Sequence, residues 1–291
     1  ERRFFHWELE FPEVFFDLSG QPLGEQAGFD AVIGNPPYDV ILKTENKDNE
    51  QFLDFVARVN ELRPALGGRL NIFRVMIVKA GNLLKSLTGR LGLIVPLGLL
   101  ADKSTLGTRT YMFERFQIET VECFPQKDDA RNRIFPDAKL STCVFTARTS
   151  QSSGDFHIRI YPGRDFVPTE TIALNFRDIL AFDPNTLSIP MLSAKELKLL
   201  IVLHRRHRNF SDIAEIRQGE VNLTNHKRCF STSVMEGTMV KGSEVARYEL
   251  QPPSQGSKFW IDPNCFRKMT SRFDDAVKLR IVLQQITGVD D

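Results

Sequence analysis

Apolar residues in the first half of the chain follow two alternating patterns. Short unbroken runs have the length of strands: "FDAVIG" ending at Gly34, "RLGLIVP" ending at Pro96, "IETVECF" ending at Phe124 and "LSTCVFTAR" ending at Arg148. Between them lie stretches with helical spacing. "NEQFLDFVARVNEL" places Phe52, Phe55, Val56, Val59 and Leu62 on one helical face, and "NIFRVMIVKAGNLLKSL" reads as a second, more buried helix. The alternation predicts an α/β domain around a mainly parallel sheet. Near Thr149 the pattern changes. "TSQSSGD" is a Ser/Gly-rich connection, "DFHIRIYPGRDF" alternates like a strand with one polar face, and "SAKELKLLIVLHRRHRNF" reads as a helix. Ser193 is placed to cap that helix, with Glu196 at the capping-box position. From Ser211 onward the pattern is mixed, with short strand signals such as "AEIRQ".

Composition narrows the classes. The 291 residues are 42% hydrophobic and 26% charged, with a formal net charge of only +1, so any surface for nucleic acid must be local. Cys123, Cys143, Cys229 and Cys265 show no metal-ligand spacing and are expected to be reduced, partly buried thiols of a cytosolic protein. The five histidines suggest no metal site. "LGLIVPLGLLA" is too short to span a membrane, and no signal peptide is visible, which points to the cytoplasm. "ERRFFHWELEFPEVFF" reads as mid-domain sequence, so the natural polypeptide is expected to extend upstream of Glu1.

The segment that carries chemistry is "GFDAVIGNPPYDVI", Gly28 to Ile41. Asn-Pro-Pro is also a common turn, so the segment has a bland reading as well. In open α/β sheets, however, ligands bind beyond the carboxyl ends of the strands, where Asn35 sits. Proline fixes φ and has no N–H, so Pro36-Pro37 hold the Pro36 carbonyl in one direction. The Asn35 side-chain oxygen and that carbonyl form a pair of neutral acceptors suited to a planar –NH2 group, and Tyr38 can cover a flat ring. Two acceptors on the exocyclic amine of adenine return electron density to its nitrogen. The amine can then attack a sulfonium methyl without prior loss of a proton.

On these residues the sequence resembles the gamma-class adenine-N6 DNA methyltransferases, in the branch typified by TaqI and the Type IIG restriction–modification enzymes. "DAVIGNPPY" looks like their catalytic motif, "FHWELEFPEVF" like a segment ahead of it, and "NIFRVMIVKAGNLLK…GRLGLIVPLGLL" like its continuation. "IFPDAKLSTCVFTAR" resembles the later motif in which a phenylalanine grips the flipped base, which implies that role for Phe135. "FSDIAEIRQGEVNLT" resembles the opening of a specificity domain.

The resemblance implies a Rossmann-like, seven-stranded methyltransferase sheet with a reversed terminal hairpin, followed by a smaller mixed α/β target-recognition domain. It implies S-adenosylmethionine as methyl donor, double-stranded DNA as partner and base flipping. Asn35, Pro36 and Tyr38 would be catalytic, Phe135 would bind substrate, and Pro37 would lie nearest the cofactor. Residues 1–150 would be the C-terminal part of the methyltransferase domain, 151–210 a connecting region, and 211–291 a target-recognition domain. The family's glycine-containing cofactor turn has no counterpart before Gly28, so it is expected in the upstream part of the polypeptide.

Basic residues at His204–Arg208 and at Arg217, Lys227 and Arg228 are candidates for phosphate contact or plain solvated surface. Two alternatives stay open. One is a DNA-binding specificity fragment without activity of its own. The other is a protein-glutamine methyltransferase, which uses the same motif on an amide, although such enzymes usually end soon after the sheet.

Overall fold

The computed structural model describes residues 5–43, 45, 47–150 and 154–206, with shorter pieces between 213 and 273. The chain divides into two compact units, Glu1–Arg208 and Asn209–Asp291. The first unit opens with two single-turn helices, α1 (Trp7–Glu10) and α2 (Pro12–Phe15). The rings of Trp7, Phe11 and Phe15 meet Phe29 edge-on at 5.7, 5.3 and 5.8 Å. This aromatic group anchors the start of β1 (Ala31–Gly34). Next come β2 (Val40–Ile41), α3 (Lys47–Arg58), β3 (Leu70–Asn71), α4 (Ile72–Asn82) and β4 (Arg90–Pro96). They are followed by α5 (Leu106–Arg115), β5 (Phe116–Phe124), β6 (Thr142–Thr149), β7 (Phe156–Ile160) and β8 (Glu170–Leu174). The helices α6 (Phe176–Phe182) and α7 (Ala194–Arg206) close the unit.

Among the described residues six strands form one sheet in the order β1-β4-β6-β5-β7-β8. β1 runs parallel to β4, and β5 parallel to β7. β6 lies reversed between β4 and β5, which makes the expected reversed hairpin, although it does not end the sheet. The sheet is therefore mixed rather than mainly parallel, because β6 and β8 both run against their neighbours. β7 and β8 extend the sheet beyond the hairpin. Burial explains the strand patterns: Leu91, Leu93 and Val95 of β4 face the core and meet Phe73 and Ile77 of α4 and Met112 of α5.

Two helices are shorter than their spacing predicts. α3 stops at Arg58 because Val59 turns extended and Asn60–Ala65 tighten into a 3-10 turn containing Pro64. Leu62 still reaches the core from that turn, whereas Phe55 is left 55% exposed. α4 is capped by the Asn71 side chain and ends at Asn82, since the Leu83 carbonyl is taken by the Phe29 N–H at 2.8 Å. The capping box at α7 forms as expected: the Ser193 N–H donates to Glu196 Oε2 at 2.7 Å, and the Glu196 N–H to Ser193 Oγ at 3.3 Å.

In the second unit the described residues include β9 (Phe230–Ser231), β10 (Gly237–Thr238), β11 (Val245–Ala246), β12 (Glu249–Leu250), β13 (Trp260–Ile261) and α8 (Pro263–Met269). β13 pairs antiparallel with β9 and β10. That pairing brings Cys229, just before β9, beside the first turn of α8. There it forms a disulfide with Cys265, Cα to Cα 5.5 Å. The expectation of four reduced thiols is corrected for this pair; Cys123 and Cys143 are free and buried. Spacing alone could not show the pairing, because β13 folding back on β9 creates it. Lys227 and Arg228 are exposed on the turn ahead of β9. Arg217, most of "AEIRQ", His207, Arg208 and the side chains of His204, Arg205 and Arg206 lie outside the described residues.

Gly28 sets where β1 begins. Its φ is 115°, and an added Cβ would stand 2.6 Å from backbone atoms of Leu84 and Lys85. The backbone can pass that close because no side chain intervenes. Phe29 then exchanges hydrogen bonds with Leu83 and Lys85, at 2.8 and 3.0 Å. Gly28→Ala should therefore destabilise this unit by roughly 1–3 kcal/mol through strain and overpacking. Urea denaturation checks this, and an unchanged midpoint would show that the approach is not tight.

Candidate active site

Asn35 to Asp39 leave the carboxyl end of β1 as irregular chain. Asn35 is exposed, Pro36 is buried, Pro37 is exposed and Tyr38 is half-buried. A buried Pro36 between two exposed neighbours pins the backbone while leaving the Asn35 amide open to a ligand. The Tyr38 hydroxyl donates to the Ile94 carbonyl of β4 at 3.0 Å, and its ring packs on the main core. Burial, followed by the neighbouring Cys143, pushes the Tyr38 phenol up to about 12. It therefore stays neutral over the whole physiological range.

Phe135 comes to the same place from the β5–β6 connection. Its ring lies 6.3 Å from Tyr38 at an interplanar angle of 66°, an edge-to-face pair. The structure thus unites Asn35, Pro36, Pro37, Tyr38 and Phe135 at one rim of the sheet. The Arg164 side chain, from the β7–β8 connection, donates from Nε to the Arg133 carbonyl at 2.7 Å and from Nη2 to the Ile134 carbonyl at 3.0 Å. That clamp holds the two residues ahead of Phe135.

Sequence reasoning missed the clamp, and it missed two buried arginines behind the site. Arg109 is fully buried and donates to the carbonyls of Leu99, Asp102 and Thr186 at 2.8, 3.0 and 2.6 Å. Arg74 holds the Gly67 carbonyl at 2.7 Å and also those of Ser104 and Arg69. Burial lowers both guanidinium values; the charge of Asp102 partly restores that of Arg74, and the charges of Asp183 and then Asp102 partly restore that of Arg109. Together they brace the loop that follows β4. Nothing in the sequence pattern separates such arginines from surface ones.

A cavity of about 400 Å³ opens nearby, lined by Val40, Asn71, Phe73, Pro96, Gly98 and Asp102. A larger one of about 630 Å³ is lined by Phe15, Gly28, Leu84 and Tyr111. It lies at the amino ends of the strands, the wrong side for ligands of an α/β sheet. Among the described residues no group of three or more His, Cys, Asp or Glu is placed to hold a metal, and no helix is long and apolar enough to cross a membrane.

Comparison with known proteins bears on the same segment. Residues 1–129 match the family described as Eco57I restriction-modification methylase, a span that includes Asn35 to Tyr38 and stops short of Phe135. A putative type II restriction enzyme and methyltransferase of Methanocaldococcus jannaschii, RM.MjaORFECS2P, is 25% identical over 158 residues. That alignment covers 54% of this chain, and the chain spans only 11% of the relative. Among solved structures, a modification subunit of a putative type I restriction enzyme from Vibrio vulnificus YJ016 aligns over 64% of this chain and 42% of its own, at 13% identity and a TM-score of 0.44. A type I restriction-modification methyltransferase subunit from Streptococcus thermophilus aligns over 64% and 33%, at 16% identity and a TM-score of 0.35. The first 129 residues are thus similar to methylases of restriction–modification systems.

Tyr38→Phe removes the donor to Ile94 and should cost about 0.5–1.5 kcal/mol in urea denaturation. The folded values of Tyr38 and Tyr111 are both raised from 10.0 to about 12. Their stabilising contribution is complete below pH 10 and falls as the pH rises towards 12. The alkaline loss should be shallower in Tyr38→Phe. Identical alkaline profiles for the two proteins would contradict the burial of this hydroxyl.

Proposed function

We propose that this chain carries the catalytic strand end and part of the recognition apparatus of a site-specific DNA adenine-N6 methyltransferase. It would belong to a restriction–modification or related phage-defence system, act in the cytoplasm on double-stranded DNA and use S-adenosylmethionine. The observation that carries the reading is the meeting of Asn35-Pro36-Pro37-Tyr38 with Phe135 at the carboxyl rim of the sheet. In this reading residues 1–150 belong to the methyltransferase domain, 151–210 connect, and 211–291 recognise the target.

The mechanism follows from neutral acceptors held still. Asn35 Oδ1 and the Pro36 carbonyl take the two N–H bonds of the adenine amine and turn its nitrogen lone pair outward. Tyr38 supplies a flat apolar face and, being neutral, adds no charge beside the reacting nitrogen. A base sandwiched face to face between two rings needs about 7 Å, two aromatic contacts of roughly 3.5 Å each. The rings stand 6.3 Å apart and tilted, so the Phe135 ring swings aside as the base enters. S-adenosylmethionine, when bound, supplies an electrophilic methyl group.

In this reading the sulfonium end of the cofactor fits beside Pro37, which is exposed next to Asn35. Among the described residues no further strand pairs with the outer edge of β1, and Ile33 on that strand is 84% exposed. An upstream segment pairing there would complete the adenosine and ribose contacts.

The test is methylation of DNA with tritiated cofactor, by the chain alone and with upstream sequence supplied. Activity is expected only in the second case. There, Asn35→Ala should lower the rate about 100-fold or more, the usual cost of losing one preorganised polar group. DNA affinity should hardly change, because phosphates supply most of it. Asn35→Asp should be milder, since an acceptor oxygen remains. A rate within threefold of wild type for Asn35→Ala would refute its role.

Phe135→Ala should also weaken capture of the base. With 2-aminopurine at the target position, fluorescence on binding should fall well below the wild-type signal. Full flipping together with full rate would return Phe135 to the core.

A further inference from the structure

The connection between β7 and β8, Tyr161 to Thr169, leaves the same rim of the sheet as Asn35 and Phe135. Its tip presents apolar surface to water: Phe166 is 65% exposed and Val167 62%. Phe166 also has a φ of 55°, a left-handed conformation that side-chain-bearing residues avoid. Such strain persists only where the surroundings impose it, and it gathers at functional sites.

Aromatic contacts hold the ring of this residue in place. Phe124, the last residue of β5, stacks on Tyr161 at 4.9 Å and 17°. That stack buttresses the Phe166 ring, which meets Phe124 edge-on at 5.9 Å and Tyr161 at 6.4 Å. Tyr161 is fixed in turn, its hydroxyl donating to Glu122 Oε2 at 2.8 Å while Arg159 pairs with the same carboxylate at 2.6 Å. The Arg164 clamp on residues 133 and 134 couples this tip to the Phe135 loop. The two loops also touch directly, since a Cβ added at Gly163 would stand 3.1 Å from Asn132 Oδ1.

We propose that the tip is a wedge for duplex DNA, with Phe166 entering the base stack beside the flipped adenine. The inference rests on the methyltransferase reading above. Three strand steps separate β4, which anchors Tyr38, from β7, which carries the tip. At the usual strand spacing that is roughly 14 Å. That span is small beside a DNA duplex, so a duplex whose base is held over β4 lies within reach of the tip. Apolar side chains pushed between base steps unstack them, and a rigid, buttressed ring suits that task. Arg164, exposed beside it, keeps a positive charge near the flanking phosphates while it clamps the Phe135 loop.

The test uses the enzyme with its upstream segment and a duplex containing its own mapped methylation site. Phe166→Ala should lower kcat/KM about tenfold on the paired duplex. It should have little effect when the target adenine faces a mismatch, because a mismatched base costs least to flip. Phe166→Gly should show the same selective loss and melt at an equal or higher temperature, because glycine accepts the left-handed backbone. Equal losses on the two duplexes, no loss on either, or a lower melting temperature for Phe166→Gly would overturn the proposal. Asn35→Ala separates the two readings: it should abolish methylation of both duplexes. If it does not, the methyltransferase reading fails whatever Phe166 does.

Discussion

The hydrogen bond from the Tyr38 hydroxyl to the Ile94 carbonyl is the constraint on which the candidate site depends. Parallel pairing of β1 with β4 runs from Ala31 opposite Arg90 to Gly34 opposite Leu93 and then stops. Beyond that point the chain has no ladder to hold it. The Tyr38 bond reaches Ile94, the next residue of β4, and ties the irregular stretch back to the sheet. Between the ladder and the tie, buried Pro36 and rigid Pro37 leave the Asn35 amide little freedom except to face outward. An exposed amide on a fixed backbone is what a preorganised acceptor requires.

Topology supplies the second wall. β6 lies reversed between β4 and β5, so the connection from β5 must return along the rim to start β6 next to β4. That path carries Phe135 back to Tyr38. A further strand outside β5 would have led the same connection away from the site. The β7–β8 pair then extends the rim on the far side, and Arg164 joins its tip to the Phe135 loop. The cost of this arrangement is visible in an exposed Phe166 on left-handed backbone.

Much of this was legible from residues alone. The apolar runs before Asn35 and Pro96 gave β1 and β4, and Ser193 with Glu196 gave the start of α7. What failed to show depends on contacts distant in sequence. Phe55 keeps helical spacing with its neighbours, yet it is exposed because the helix breaks at Val59. The order of strands in the sheet, the clamp from Arg164 and the burial of Arg74 and Arg109 leave no periodic mark. Cys229 and Cys265 lack any motif spacing, and only the return of β13 onto β9 makes them a pair. Phe135 was found through family resemblance rather than pattern, since one phenylalanine among 23 carries no signal of its own.

The central claim is that Asn35 and Pro36 present two neutral acceptors to the amine of a flipped adenine. The most direct measurement is of the product. DNA incubated with S-adenosylmethionine and the protein, together with the upstream segment proposed above, then digested to nucleosides and analysed by mass spectrometry, should contain N6-methyl-2′-deoxyadenosine as the sole new nucleoside. A methylated cytosine in its place, or unmodified DNA alongside methylation of a glutamine amide in protein, would contradict the account.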